Sequence, residues 1–280
     1  MTLAVASVVG AALFFWPFFA SDLPPDMPSL AVTIGAVGLL GLLEFATRRL
    51  DSGRLALLAT LAAIDAALRL AFVNGFAGFS PIFFLVILAG YEFGASYGFL
   101  VGSYSLLVSA VVTGGVGPWL PYETFGVGWV GAAAGLTGDL VRSIHPVVRP
   151  RVAPWWPTRA DMVALVAVSI VSGFAYGALT DIWGWVAFYR GTGDVNWMPG
   201  LPLGDALAHF GRYYLLTSLA WDWPRAFGDA IAVLALGSPV LAALGRLRAR
   251  LGFEIVDAPA GARASATTPA SRAATPTSRD

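Results

Sequence analysis

Residues 2–20, and again residues 95–113, run without one charged side chain. An α-helix needs about 20 predominantly apolar residues to cross the hydrocarbon core of a bilayer. Inside that core every backbone N–H and C=O must find a partner within the protein, so only helices and closed barrels can span it. Repeated runs of this length, without the short alternating pattern of strands, predict an all-α fold: a polytopic transmembrane helical bundle. Composition agrees. The chain is 57% hydrophobic and 12% charged, with a mean hydropathy of +0.72, whereas a soluble domain is roughly 25% charged.

The pattern predicts eight spans, at 2–20, 30–46, 55–72, 81–93, 95–113, 122–141, 162–179 and 226–244. The first has the length of a signal peptide, but it lacks a basic leading region and a good cleavage site. Residues 181–224 read as a long Trp- and Tyr-rich insertion, within which 203–221 form an amphipathic or partly inserted helix. Residues 1–50 thus read as an N-terminal transmembrane hairpin and 54–250 as the core. Residues 257–280, rich in Ala, Thr, Pro and Ser, read as a disordered cytoplasmic tail.

Every basic residue other than His145 and His209 is arginine, and there is no Lys, Gln or Cys. A P-loop lysine and a Schiff-base lysine are therefore excluded, as is a Cys/His metal cluster. A formal net charge of zero suggests no nucleic-acid partner. Arg48, Arg49 and Arg54 follow the second span, Arg142, Arg149, Arg151 and Arg159 the sixth, and Arg246, Arg248 and Arg250 the last. Loops rich in arginine stay cytoplasmic. The expected topology is multi-pass in the cell membrane with both termini inside. The aromatic loops around residues 74–80 and 114–123 and the Trp-rich region 181–224 then face outward.

Several residues stand out chemically. Asp65 and Arg69 share one helix face at i, i+4. They either neutralise each other or leave Arg69 free to face a ligand, since ionisable groups in a membrane helix are functional candidates. Pro118 and Pro121 stiffen the stretch GGVGPWLPYETF, from which Trp119, Tyr122, Glu123 and the nearby Trp129 offer flat surfaces and an acid. The tryptophans also suit an interfacial belt. Asn74 binds a ligand or caps a helix, with Phe76 and Phe79 beside it. Glu92 and Asp139 are expected to meet headgroups or Arg142, and Asp229 to meet Arg225. His209 reads as an ordinary histidine on an amphipathic face. Ala59, Ala63 and Ala67 recur every four residues, a spacing of small side chains that lets another helix approach closely in lipid.

The Ala59-x-x-x-Ala63 pattern, GFSPIFFLVILAGYEFGASYGFLVGSYSLLVSAVVTGG and GPWLPYETFGVGWVGAAAG together resemble the substrate-binding (S) components of energy-coupling factor vitamin transporters, most of all their cobalamin-related subgroup. The resemblance covers roughly residues 55–135 well. It implies a six-helix S-component-like core, to which the first two spans are an extra hairpin. It also implies capture of a vitamin at the outer face, with cobalamin or a related corrinoid favoured. Docking on a membrane T component carrying two ATPase subunits would then use the alanine face. Arg69, Asn74, Phe76, Phe79, Trp119, Tyr122, Glu123 and Trp129 become substrate-binding candidates. No cofactor, metal or catalytic residue is expected. Two other classes stand beside this one: an intramembrane enzyme acting on lipid or peptide, and a scaffold subunit with no ligand.

The arginine bias makes a direct prediction. A single cysteine at Gly117, in a chain with none of its own, should react with an impermeant thiol reagent added outside whole cells. Labelling only after the cytoplasmic face is opened would reverse the topology.

Overall fold

The computed structural model describes residues 2–19, 33, 35, 37–38, 51–71, 81–144 and 156–251. The predicted second span and the C-terminal tail lie outside the described residues, apart from the isolated positions at 33–38. The described chain is helical, with no β-strand. Its helices are α1 (Thr2–Phe15), α2 (Ser52–Ala71), α3 (Ile82–Phe93), α4 (Ala95–Thr113), α5 (Leu120–Ile144), α6 (Arg159–Phe188) and α7 (Leu203–Arg250). A short 3-10 turn, Trp16–Phe18, extends α1. Three of these are long and apolar enough to cross a membrane: Ala95–Thr113, Arg159–Phe188 and Leu203–Arg250. The protein is a helical membrane protein.

The centre of the bundle is α3. Its sequence, IFFLVILAGYEF, is apolar on every side, the mark of a helix with no solvent face. Ile82 through Glu92 are all buried, and α2, α4, α5, α6 and α7 all pack against it. Gly94, at φ +97°, ends α3 in a conformation that favours glycine and lets α4 start at the next residue. Then α4 folds back against α5. That pair packs most extensively in the molecule, because Gly131 brings the backbones together. A Cβ on Gly131 would overlap the Gly98 carbonyl oxygen of α4.

Arg142 and Arg248 meet at the C-terminal end of α3. The last carbonyls of a helix lack intrahelical donors, and α3 resolves this with side chains from distant spans. The Arg142 guanidinium donates to the Tyr91 carbonyl at 2.8 Å, and Arg248 donates to the Glu92 carbonyl at 2.8 Å. Glu92, expected to meet headgroups or Arg142, instead pairs with Arg248 at 3.4 Å. Asp139 does pair with Arg142, at 2.6 Å. At the same end, Thr158 and Asp161 form a capping box that starts α6, and the Tyr91 hydroxyl donates to Asp161 at 2.7 Å.

The last part of the chain differs from the reading of its sequence. Residues 203–221 and 226–244 were expected as separate pieces, yet α7 is one helix of 48 residues. Single π turns at Tyr214–Ser218 and Val233–Gly237 flank an internal Pro224. Likewise α6 continues through Thr180 and Asp181 to Phe188. The expected insertion therefore shrinks to the connection at 189–202. Polar residues broke the apolar runs in the sequence, but Asp222 and Asp229 are buried inside the bundle, so they do not end a helix.

Gly131→Ala should destabilise the protein by at least about 2 kcal/mol, the scale of overpacking a tight core. Gly204→Ala, which meets nothing within 4 Å, should change stability by no more than about 0.5 kcal/mol. Thermal unfolding of the purified variants checks both.

Candidate functional site

At the N-terminal end of α3, Ile82 and Phe83 meet side chains from α2, α4, α5, α6 and α7. A cavity of ≈190 Å³ opens there. Its apolar wall is Ile82 and Phe83 from α3, Leu106 from α4 and Val127 from α5. Its polar groups are Arg69 from α2, Glu123 from α5, Tyr176 and Thr180 from α6, and Arg225 from α7. Every helix except α1 contributes.

Arg69 reaches across to Glu123 at 3.8 Å, and its other terminal nitrogen donates to the Ser109 hydroxyl at 3.4 Å. Both contacts are long. At 3.8 Å the ion pair is beyond hydrogen-bond range, so the guanidinium fork is held without being saturated. The two side chains remain 31% and 27% exposed, and both line the cavity. The expected Asp65–Arg69 neutralisation does not form: both carboxylate oxygens of Asp65 lack hydrogen-bond partners among the described residues.

Arg225 is held more tightly. It forms a short ion pair with Asp222 one turn earlier on α7, and the Tyr214 hydroxyl donates to the other Asp222 oxygen at 2.7 Å. The guanidinium also lies over the Tyr176 ring, 5.3 Å from its centroid, a cation–π arrangement. Phe83 meets Tyr176 edge to face at 4.8 Å. The cavity thus has an aromatic corner between two arginines, with one carboxylate opposite. Asp229, expected to pair with Arg225, has no hydrogen-bond partner among the described residues.

Of the residues singled out in the sequence, the structure brings Arg69 and Glu123 together at this cavity. Trp119 lies outside it, 38% exposed and edge-on to Trp183 at 5.8 Å. Tyr122 and Trp129 point away from it, towards α1. The Tyr122 hydroxyl accepts from the Trp16 indole at 3.0 Å, and the Trp129 indole donates to Ser7 at 3.1 Å. Phe14 packs between them, 5.2 Å from each ring. The reason is helical phase. Tyr122, Phe125 and Trp129 repeat at i, i+3 and i+7 on one face of α5, whereas Glu123 and Val127 share another. Asn74, Phe76 and Phe79 lie outside the described residues. Ala59, Ala63 and Ala67 are exposed on the outward face of α2.

Tyr176, Thr180 and Arg225 were not anticipated. Arg225 carried a usable signal, since an arginine inside a long apolar helix marks a functional position. Its proximity to Asp229 in the sequence concealed it as a neutralised pair. His209 holds the connection between α6 and α7: its Nδ1 lies 2.9 Å from the Asn196 carbonyl oxygen. Compared with family models, curated proteins and solved structures, the chain matches none.

The placement of Tyr122 and Trp129 is testable. Replacing both with Phe removes two hydrogen bonds to the α1 segment, worth about 1 kcal/mol each. Hydrogen exchange should accelerate in residues 2–15 and stay unchanged around Glu123 and Tyr176. The reverse pattern would place these rings at the cavity.

Proposed function

We propose that the protein is a membrane-embedded substrate-capture subunit of the energy-coupling factor type, and that its ligand enters the cavity between Arg69 and Arg225. The observation that carries this reading is the convergence of six helices on one small chamber. Its apolar lining holds a few placed charges, the usual form of a small-molecule site.

The chamber also narrows the ligand class. Two guanidinium groups suit an anionic group on the ligand, because the arginine fork matches carboxylate and phosphate geometry. Phe83 and Tyr176 suit a flat ring, and Glu123 suits a donor on its opposite edge. At ≈190 Å³ the cavity is below the roughly 300–1,000 Å³ of sites for drug-sized ligands. A compact vitamin-type molecule with one ring and one acidic group therefore fits better than a complete corrinoid, which would require the surrounding helices to part.

The other half of the proposal concerns energy. With no lysine for a phosphate-binding loop, the chain relies on ATPase partners, reached through a T component. The exposed Ala59, Ala63 and Ala67 stripe supports docking on α2, since small side chains permit close helix approach in lipid. The arginine-bearing end of the bundle would face the cytoplasm and the cavity the outside of the cell membrane.

Native mass spectrometry of the detergent-purified protein should identify a co-purifying small acid. Arg69→Ala should then weaken its binding by about 2 kcal/mol, or about thirtyfold. Ala63→Leu should leave that affinity intact and reduce uptake in cells expressing the T component and ATPases. Unchanged affinity in Arg69→Ala would remove the cavity as the capture site. A loss of affinity without a loss of complex in Ala63→Leu would remove the docking face.

A further inference from the structure

One helical turn away from the cavity, towards the arginine-bearing end, three helices bury side chains that the capture site does not use. Asp65 on α2, Ser105 on α4 and Asp229 on α7 are each 0% exposed. Neither carboxylate oxygen of either aspartate, nor the serine hydroxyl, has a hydrogen-bond partner among the described residues. Ser105 adjoins the Asp65 carboxyl, and Asp229 is near enough for the two carboxyl charges to interact.

Helix geometry fixes their depth. Asp65 is four residues from Arg69 and Asp229 four residues from Arg225, about 6 Å along each axis. Both arginines line the cavity. From the cavity, α2 leads back through Asp65 towards Arg54, and α7 leads on through Asp229 towards Arg248. The two aspartates therefore lie at a common level beneath the two arginines.

Two ionised carboxylates in a water-free interior repel each other and need positive charge. The two arginines act on the aspartates only from a distance, since their direct contacts go elsewhere: Arg69 to Glu123 and Ser109, and Arg225 to Asp222. The charges acting on Asp65 are those of Asp229 and Arg69, and Arg225 acts on Asp229. The titratable groups on the packed helices are Tyr91 and Glu92 on α3, Tyr97 and Tyr104 on α4, Glu123 on α5, and Asp161, Tyr176 and Asp181 on α6.

We infer that Asp65, Ser105 and Asp229 form a binding site for a small monovalent cation, a proton or a sodium ion, directly beneath the cavity. Carboxylate and hydroxyl oxygens suit either: carboxylates accept a proton, and oxygen donors are the ligands of hard cations. A cation there cancels charge that would otherwise compete for Arg69 and Arg225. It thereby leaves both guanidinium groups available to an anion above. By linkage, an anion in the cavity strengthens cation binding to the same degree.

The test needs neither substrate nor partner, so its outcome is separate from that of the capture reading. The full-length protein in detergent is unfolded thermally in sodium chloride or choline chloride at equal ionic strength. The choline series is repeated from alkaline to acidic pH. A sodium site raises the midpoint by about 5 °C in sodium over choline when the ion is well above its Kd. A proton site instead gives a comparable rise in choline as the pH falls. In either arm, Asp65→Asn and Asp229→Asn should abolish the response. Ser105→Ala, which keeps both carboxyls, should shift it to about fivefold higher cation concentration, the effect of one lost hydrogen bond, and it decides the matter if the Asn variants do not fold. A midpoint indifferent to both cations overturns the inference. So does a response that survives unchanged in the Asn variants or in Ser105→Ala.

Discussion

A helix of 12 residues, α3, sits at the centre of a bundle whose other helices are longer. At 1.5 Å per residue it is about 18 Å long, well short of the roughly 30 Å hydrocarbon core. Its two ends therefore pose two different problems. At the C-terminal end, carbonyl groups lie deep among apolar neighbours with no helix left to satisfy them. Arg142 and Arg248 solve this by donating to Tyr91 and Glu92, which also ties α5 and α7 to the centre. At the N-terminal end a chamber opens instead. Ile82 and Phe83 become its apolar wall, and the flanking helices supply its charges. Capping and cavity sit at opposite ends of one short helix.

Charges inside the bundle are arranged by level. Arg69, Glu123, Asp222 and Arg225 form an upper tier in which each arginine has a carboxylate partner. The two pairs are not equivalent. Asp222 is 2% exposed and doubly engaged by Arg225 and Tyr214, so that pair is a fixed part of the wall. Arg69 and Glu123 are longer apart and more exposed, so that pair separates at lower cost. The chamber thus has one rigid side and one responsive side. The aromatic corner of Phe83 and Tyr176 lies with the rigid side, under Arg225.

Much of the fold could be read from the sequence because hydrocarbon imposes a length rule. The spans at 81–93 and 95–113 match α3 and α4 almost to the residue, since Gly94 and Gly114 bound apolar runs that nothing interrupts. The rule failed at α6 and α7, where Thr180, Asp181, Asp222 and Arg225 looked like helix ends. These do not end their helices: Asp222 and Arg225 pair with each other inside the bundle, and the Thr180 hydroxyl bonds back to the Tyr176 carbonyl of its own helix. The site was half legible for the same reason. Arg69 and Glu123 stood out as charges beside apolar runs. Arg225 was assigned to Asp229 by sequence distance, although its partner is on the other side at Asp222. Which neighbour an arginine chooses at i−3 or i+4 depends on what the adjacent helices bury there, and no local pattern encodes that.

The stretch GPWLPYETFGVGWVG shows how one helix can meet all of these demands. Read along α5, its residues sort into three faces by helical phase. Gly128, Gly131 and Gly135 turn towards α4, where any side chain would strike Phe99, the Gly98 carbonyl or Ala95. Tyr122, Phe125 and Trp129 turn towards α1, whose Gly10 lies against the Phe125 ring and whose Phe14 fills the gap between the other two rings. Glu123 and Val127 remain for the cavity. The glycine face removes freedom of depth, because backbone contact fixes the distance to α4. The aromatic face removes freedom of rotation, because three rings interlock with α1. With depth and rotation both set, the Glu123 carboxylate is delivered opposite Arg69 without a rigid contact of its own. The ion pair is thus loose while the helix carrying it is not.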